Sequence, residues 1–161
     1  MTISTKRLKQ LVSYDPITGI FRWKYTWGRA IEGNSVGSAH SQGYIQANID
    51  RHRVFLHRIA WQYVHGVVPK GQIDHINGDR LDNRIVNLRL ATQQQNSANM
   101  RRRPNNKSGL KGVVRFKNRW RCYVHVNGKT RYLGTFKSKN EAHSAYVSAA
   151  VHHFGKFARA A

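Results

Sequence analysis

Four polar residues in the middle of the chain have the types and spacing for phosphodiester chemistry: Asp74, His75, Asn87 and Asn96. Hydrolysis of a phosphodiester needs a base for the attacking water and a cation for the departing oxygen. A neutral imidazole is available near pH 7, so His75 suits the first task. The Asp74 carboxylate is a hard anionic oxygen ligand, and an Asn carbonyl is a neutral one. Together they suit Mg²⁺, because such an ion keeps several waters and needs few protein groups. A structural zinc site wants four nitrogen or sulfur ligands, and Cys122 is the only cysteine. Acids are scarce, 7 Asp+Glu against 28 Lys+Arg, yet Asp74, Asp79 and Asp82 fall within nine residues. Turn chemistry and a cation site are the two explanations for that cluster.

These residues need a frame, and the pattern supplies one. Ile73–Ile76 reads as a short strand, Asn77-Gly78-Asp79 as a turn, and a polar loop runs to Asn87. Leu88–Ala91 reads as a second strand, and Thr92 opens a helix with Gln95 completing a capping box. The helix is expected to reach about Met100, or to continue into Arg101–Arg103 until Pro104 stops it. Asp74 and His75 are adjacent on a strand and should point to opposite faces. Asp79, Asp82 and Asn83 are expected to stabilise the loop or to counter Arg80, Arg84 and Arg89, and His57 to pack structurally.

Asp74-His75-Ile76-Asn77-Gly78-Asp79, then Asn83, Asn87-Leu88-Arg89 and Asn96, resemble the HNH endonucleases of phages and group I introns. His57-Arg58-Ile59-Ala60-Trp61 resembles the approach to that motif. The resemblance implies a ββα-metal core, with His75 as general base and Asp74 and Asn96 on one divalent metal. Asn87 would brace the loop and orient His75 by hydrogen bonding. The last letter is Asn96 rather than His, which resembles the intron-homing branch and favours Mg²⁺ or Mn²⁺ over a softer metal.

The flanks divide the remainder. Residues 1–70 read as a mixed α/β segment that supports the nuclease, with contact to DNA left open. Phe21 and Trp23 alternate on one strand, Tyr44–Asp50 and Val54–His57 form two more around Asp50–Arg53, and Arg58–His65 is a helix stopped by Gly66. Residues 71–103 are the catalytic core. Residues 104–161 read as a three-stranded antiparallel sheet (Val113–Phe116, Trp120–Val126, Thr130–Leu133) packed on one helix. That helix is opened by the capping box Ser138–Glu141 and presents Ala142, Ala145, Tyr146 and Ala149 on one face. The whole is of the α+β class.

A net charge of +21 attracts a polyanion, and no apolar run supports a membrane instead. Residues 101–161 hold 15 Lys+Arg and one Glu. On the middle strand Arg121, Tyr123 and His125 share a face, Cys122, Val124 and Val126 the other. Arg115, Lys117, Arg119 and Arg131 are expected to join the basic face, and Arg101, Arg102 and Arg103 to lie on phosphates. Gly112-Val113, Trp120, Gly128-Lys129, Tyr132–Phe136, Glu141-Ala142 and Ala145-Tyr146 resemble the Apetala-two/ethylene-response-factor DNA-binding domain of plants, which also occurs fused to phage HNH nucleases. That resemblance implies a sheet laid in the major groove of double-stranded DNA.

The expectation is therefore a metal-dependent endonuclease that leaves a 5′-phosphate and a 3′-hydroxyl, the ends following from the HNH resemblance. The competing readings are a non-catalytic DNA-binding regulator using the C-terminal sheet, and an RNA-binding protein, which the lack of stacking aromatic pairs disfavours. A monomer is expected, since no dimerisation heptad is visible, and the charged start without an apolar stretch behind it points to the cytoplasm.

Overall fold

The computed structural model describes residues 3–102 and 105–160. They form two compact units, residues 1–90 and 91–161, where the sequence suggested lines at 70 and 103. The residues before position 70 share one core with the strands that follow. Leu8, Val12, Phe21, Ile49, Leu56 and Ile59 are buried in the same cluster as Ile73 and Leu88. A 33-residue fragment could not bury enough apolar surface to stand alone, so the first unit contains most of the expected core.

The first unit opens with α1 (Thr5–Leu11), capped by the Ser4 hydroxyl, which accepts from the Arg7 amide. β1 (Val12–Tyr14) and β2 (Phe21–Trp23) make an antiparallel hairpin. β3 (Ser38–Ala39), β4 (Ile45–Ile49) and β5 (His52–Phe55) form a three-stranded antiparallel sheet. Here the expected turn is too long. Ile49 pairs with His52, and Asp50 and Arg51 alone take φ values of 51° and 64°. Two consecutive left-handed residues suit the right-handed twist of a two-residue hairpin, so His52 and Arg53 belong to the strand. α2 (Leu56–His65) starts two residues earlier than its apolar spacing suggests and ends on Gly66 at φ 77°. β6 (Gln72–His75) then pairs with β7 (Leu88–Ala91).

The second unit opens with α3 (Gln93–Asn99), whose capping box joins Thr92 and Gln95 in both directions. The helix stops at Asn99, and Met100 is already extended at ψ 141°. Lys111 Nζ donates to the carbonyls of Ala98 at 2.5 Å and Met100 at 2.8 Å, placing a cation on the negative end of the helix. The fates of Arg103 and Pro104 lie outside the described residues. β8 (Val113–Phe116), β9 (Arg119–Val126) and β10 (Lys129–Phe136) form an antiparallel sheet with β9 in the centre. β10 extends beyond the expected Leu133, through a register shift after Tyr132. α4 (Lys139–Phe154) begins at Ser138, whose hydroxyl accepts from the Glu141 amide, and buries Ala142, Tyr146 and Ala150 against Cys122, Val124 and Val126. Among the described residues no helix is long and apolar enough to cross a membrane.

Candidate active site

β6 is covered on both sides, so adjacent residues are both buried: Asp74 is 3% exposed and His75 4%. The two side chains meet different partners. Arg89, one strand away on β7, donates to Asp74 Oδ2 from both Nε and a terminal nitrogen, each at 2.8 Å. This partner was not foreseen. Arg89 was expected to answer the loop acids, but β6 and β7 are paired, and the pairing puts it against Asp74.

His75 sits among rings. His57 meets it edge-on at 5.2 Å between centroids, and Tyr44 lies 5.9 Å away. Tyr44 and Phe55 also flank His57, at 4.8 and 5.7 Å, and the Arg80 guanidinium covers the Tyr44 ring at 4.7 Å. Burial pushes the His75 pKa below its ordinary value, partly opposed by the Asn83 side chain and the negative charges of Asp74, Asp79 and Asp82. A buried imidazole loses hydration that its charged form needs most. His75 is therefore held neutral at physiological pH, the state a base requires. His57 is pushed down further, to about 3, by burial first and then by the charges of His75 and Arg58. Its Nδ1 is buried without a hydrogen-bond partner. The expectation that His57 packs structurally understates its place, since it is one wall around His75.

The loop between the strands is tied by its own polar side chains. Asn87 Oδ1 accepts from the Asn77 amide at 2.9 Å, and its Nδ2 donates to the Asp82 carbonyl at 2.9 Å. These bonds brace the loop. The side-chain oxygen beside His75 Nε2, however, belongs to Asn83, at 3.4 Å. Asp82 receives Arg84 at 2.6 Å and Asn77 Nδ2 at 2.8 Å, and the Arg84 bond above all holds its carboxyl down at about 2. Asp79 accepts from the Leu81 amide at 3.0 Å. Two of the three clustered acids are thus turn residues, and Asp74 alone of the three is buried.

Asn96 lies half-buried on α3 in the second unit. Among the described residues no three His, Cys, Asp or Glu side chains cluster as a metal group. The Asp74 carboxylate is a hard oxygen donor, which suits a hard cation completing its shell with water and phosphate better than it suits zinc.

On the second unit the sheet register divides the expected DNA-contacting residues. Arg119, Arg121, Tyr123 and His125 share the face away from α4, with Val114, Thr130 and Tyr132 opposite them. The Arg121 guanidinium lies 3.3 Å from the Phe116 ring centre. Arg115 pairs with Trp120 and Arg131 with Val124. Partners across a ladder share a face, so these two project from the helix side and do not join the basic face as expected. Lys117 sits in the β8–β9 turn at φ 52°. Arg101 and Arg102 are exposed, and Arg103 lies outside the described residues.

Residues 54–98 match the family model of HNH endonucleases. That span runs from β5 through β6 and β7 into α3. Among curated proteins, the chain is 45% identical to "Protein 3.8" of Escherichia phage T7 over 76 residues, 45% of this chain and 63% of that protein. It is 33% identical to an uncharacterized HNH endonuclease of Acanthamoeba polyphaga mimivirus over 111 residues, 68% of this chain and 58% of that protein. The chain spans about three fifths of the length of these relatives.

Proposed function

We propose that the chain is a metal-dependent endonuclease that hydrolyses phosphodiester bonds of double-stranded DNA, with His75 as general base. The observation that carries the reading is a buried imidazole, held neutral, within the span that matches HNH endonucleases. His75 takes a proton from water as that water attacks phosphorus. Asp74 and Asn96 would hold one Mg²⁺ or Mn²⁺ in a ββα-metal core, as the HNH resemblance implies. When bound, the ion stabilises the charge that develops on the departing 3′-oxygen. Arg89 orients the Asp74 carboxylate through Oδ2, and Asn87 keeps the loop folded over β6.

The second unit is the DNA-gripping module. Its sheet offers Arg119, Arg121, Tyr123 and His125 to the major groove, with Lys117 at the adjoining turn. Arg115, Arg131, Arg101, Arg102 and Arg103 supply phosphate contacts around it. Aromatic and basic residues on the first unit, among them Trp23, Trp27, Arg7 and Arg29, line an open groove and give the N-terminal segment its own place on DNA.

The test is incubation of plasmid DNA with wild type and His75→Ala, with Mg²⁺ and with chelator. The variant should lose roughly 10²–10⁴ in rate and keep DNA affinity. Unimpaired cutting by the variant, or cutting in excess chelator, overturns the reading. DNA bound but never cut by wild type makes the chain a non-catalytic binder.

A further inference from the structure

We infer that Asn83 is a positioning residue that fixes the tautomer of His75, placing the proton on Nε2 and the basic lone pair on Nδ1. The inference rests on the reading of His75 as the base and adds a residue through which that base is prepared.

Asn83 is only 2% exposed. Its backbone is pinned from outside the loop, because the Tyr14 hydroxyl donates to its carbonyl oxygen at 2.7 Å in a buried bond. The turn of the β1–β2 hairpin closes on it as well. A Cβ on Gly19 would stand 2.6 Å from the Asn83 carbonyl carbon and 2.5 Å from the Arg84 nitrogen. Asn87 holds the preceding residue by its carbonyl. The position of the side chain is therefore set by three separate elements.

Its orientation follows from acceptor chemistry. Asn83 Nδ2 donates to the Leu81 carbonyl at 3.2 Å. A carbonyl oxygen only accepts, so the amide nitrogen must face it and the amide oxygen must face the other way. That oxygen is the atom 3.4 Å from His75 Nε2. An amide oxygen also only accepts, so the bond exists only when Nε2 carries the proton. Neutral imidazole then has its lone pair on Nδ1. At 3.4 Å the bond is long, and such contacts tighten when substrate is bound. The opposite tautomer would set two lone pairs against each other in a buried site.

The direct test needs neither metal nor DNA. The full chain is labelled with ¹⁵N, and two-bond proton–nitrogen correlations are recorded where neutral imidazole dominates; the His75→Ala spectrum identifies the His75 signals. Wild type should show a protonated Nε2 and a pyridine-type Nδ1. A protonated Nδ1 in wild type overturns the inference, whatever the activity shows. Asn83→Asp keeps an acceptor and should keep the tautomer; Asn83→Leu removes it and should let the Nδ1–H form appear. Asn83→Leu should also lower kcat by between about 10- and 10⁴-fold, the upper figure being the cost of a wrong tautomer in a serine protease, with DNA affinity unchanged. An unchanged tautomer in folded Asn83→Leu overturns the inference. If Asn83→Leu does not fold, Asn83→Ser is read by the same spectrum. Full cutting by His75→Ala would instead sink the reading of the base, so the two failures are distinct.

Discussion

His57 makes the stability of the first unit depend on pH in a range where the carboxylates are silent. Its folded-state pKa is pushed from 6.5 to about 3 by burial. Below 6.5 the unfolded chain therefore binds a proton that the folded one refuses. Stability rises with pH wherever the unfolded state holds more protons, so it must fall as the solution is acidified from neutrality towards the folded value. Integrating a single site between pH 7 and pH 5 gives a loss of about 2 kcal/mol, and the full window allows a ceiling of about 5 kcal/mol. His75, whose pKa is also lowered by burial, acts in the same direction. The lowered carboxyls of Asp15, Asp50 and Asp82 start from 3.8 and contribute only at still lower pH. The perturbation is His57→Phe, which keeps a ring between Tyr44 and Phe55 and removes the titration. Urea unfolding followed by tryptophan fluorescence, with Trp120→Phe in both backgrounds, reports the first unit through Trp23, Trp27 and Trp61. The stability difference between pH 7 and pH 5 should shrink by about 2 kcal/mol in the variant. Parallel curves for the two proteins would refute a buried neutral His57.

Three further outcomes are expected. Arg89→Met removes the guanidinium that pairs with the buried Asp74 carboxylate and should destabilise the first unit by about 3–5 kcal/mol; the double variant Asp74→Leu/Arg89→Met should recover most of that in the same urea assay. Gly112→Ala places a Cβ 2.1 Å from a Tyr146 ring carbon and 2.7 Å from the Tyr123 carbonyl oxygen at φ +74°, and should lower the stability of the second unit by about 3 kcal/mol, read by Trp120 fluorescence. Arg121→Ala should weaken DNA binding and flatten its salt dependence by about one charge in a titration against ionic strength. Arg131→Ala should do less, since the register turns it to the helix side; the reverse order would contradict that assignment.

The elements were legible where local chemistry decides them. The Thr92–Gln95 capping box, the Gly66 stop, the Asn127-Gly128 hairpin and the alternation of β9 all act over a few residues, and all appear in the structure. The Asp50-Arg51 turn was misjudged because neither residue carries the glycine signal of a left-handed pair, and only the β4–β5 register reveals it. Arg115 and Arg131 were misplaced for a related reason. Counting along a strand gives parity within that strand, but the ladder partner decides which face it shares. Contacts distant in sequence were not legible at all. Tyr14 reaches Asn83 across 69 positions, and nothing in either neighbourhood announces it. Asn83 stood out in the sequence as part of the HNH-like pattern and as a loop residue, but nothing there placed it beside His75; what favours its burial is that an uncharged amide can be buried at lower cost than an acid.

That loop also changes the meaning of the acid cluster. Three acids within nine residues of a chain at +21 left turn chemistry and a cation site as explanations, with Asp79 and Asp82 expected in the loop and Asp74 as the metal ligand. The structure divides them. Asp79 is exposed and Asp82 half-buried, and they accept from nearby backbone amides, Asn77 and Arg84. Asp74 is buried and paired to Arg89. The turn acids fold the loop, and the folded loop delivers Asn83 to the edge of His75. A substitution at Asp82 should therefore reach the base indirectly: Asp82→Ala frees Arg84 and Asn77, loosens the loop that carries Asn83, and lowers kcat while leaving the Asp74–Arg89 pair in place.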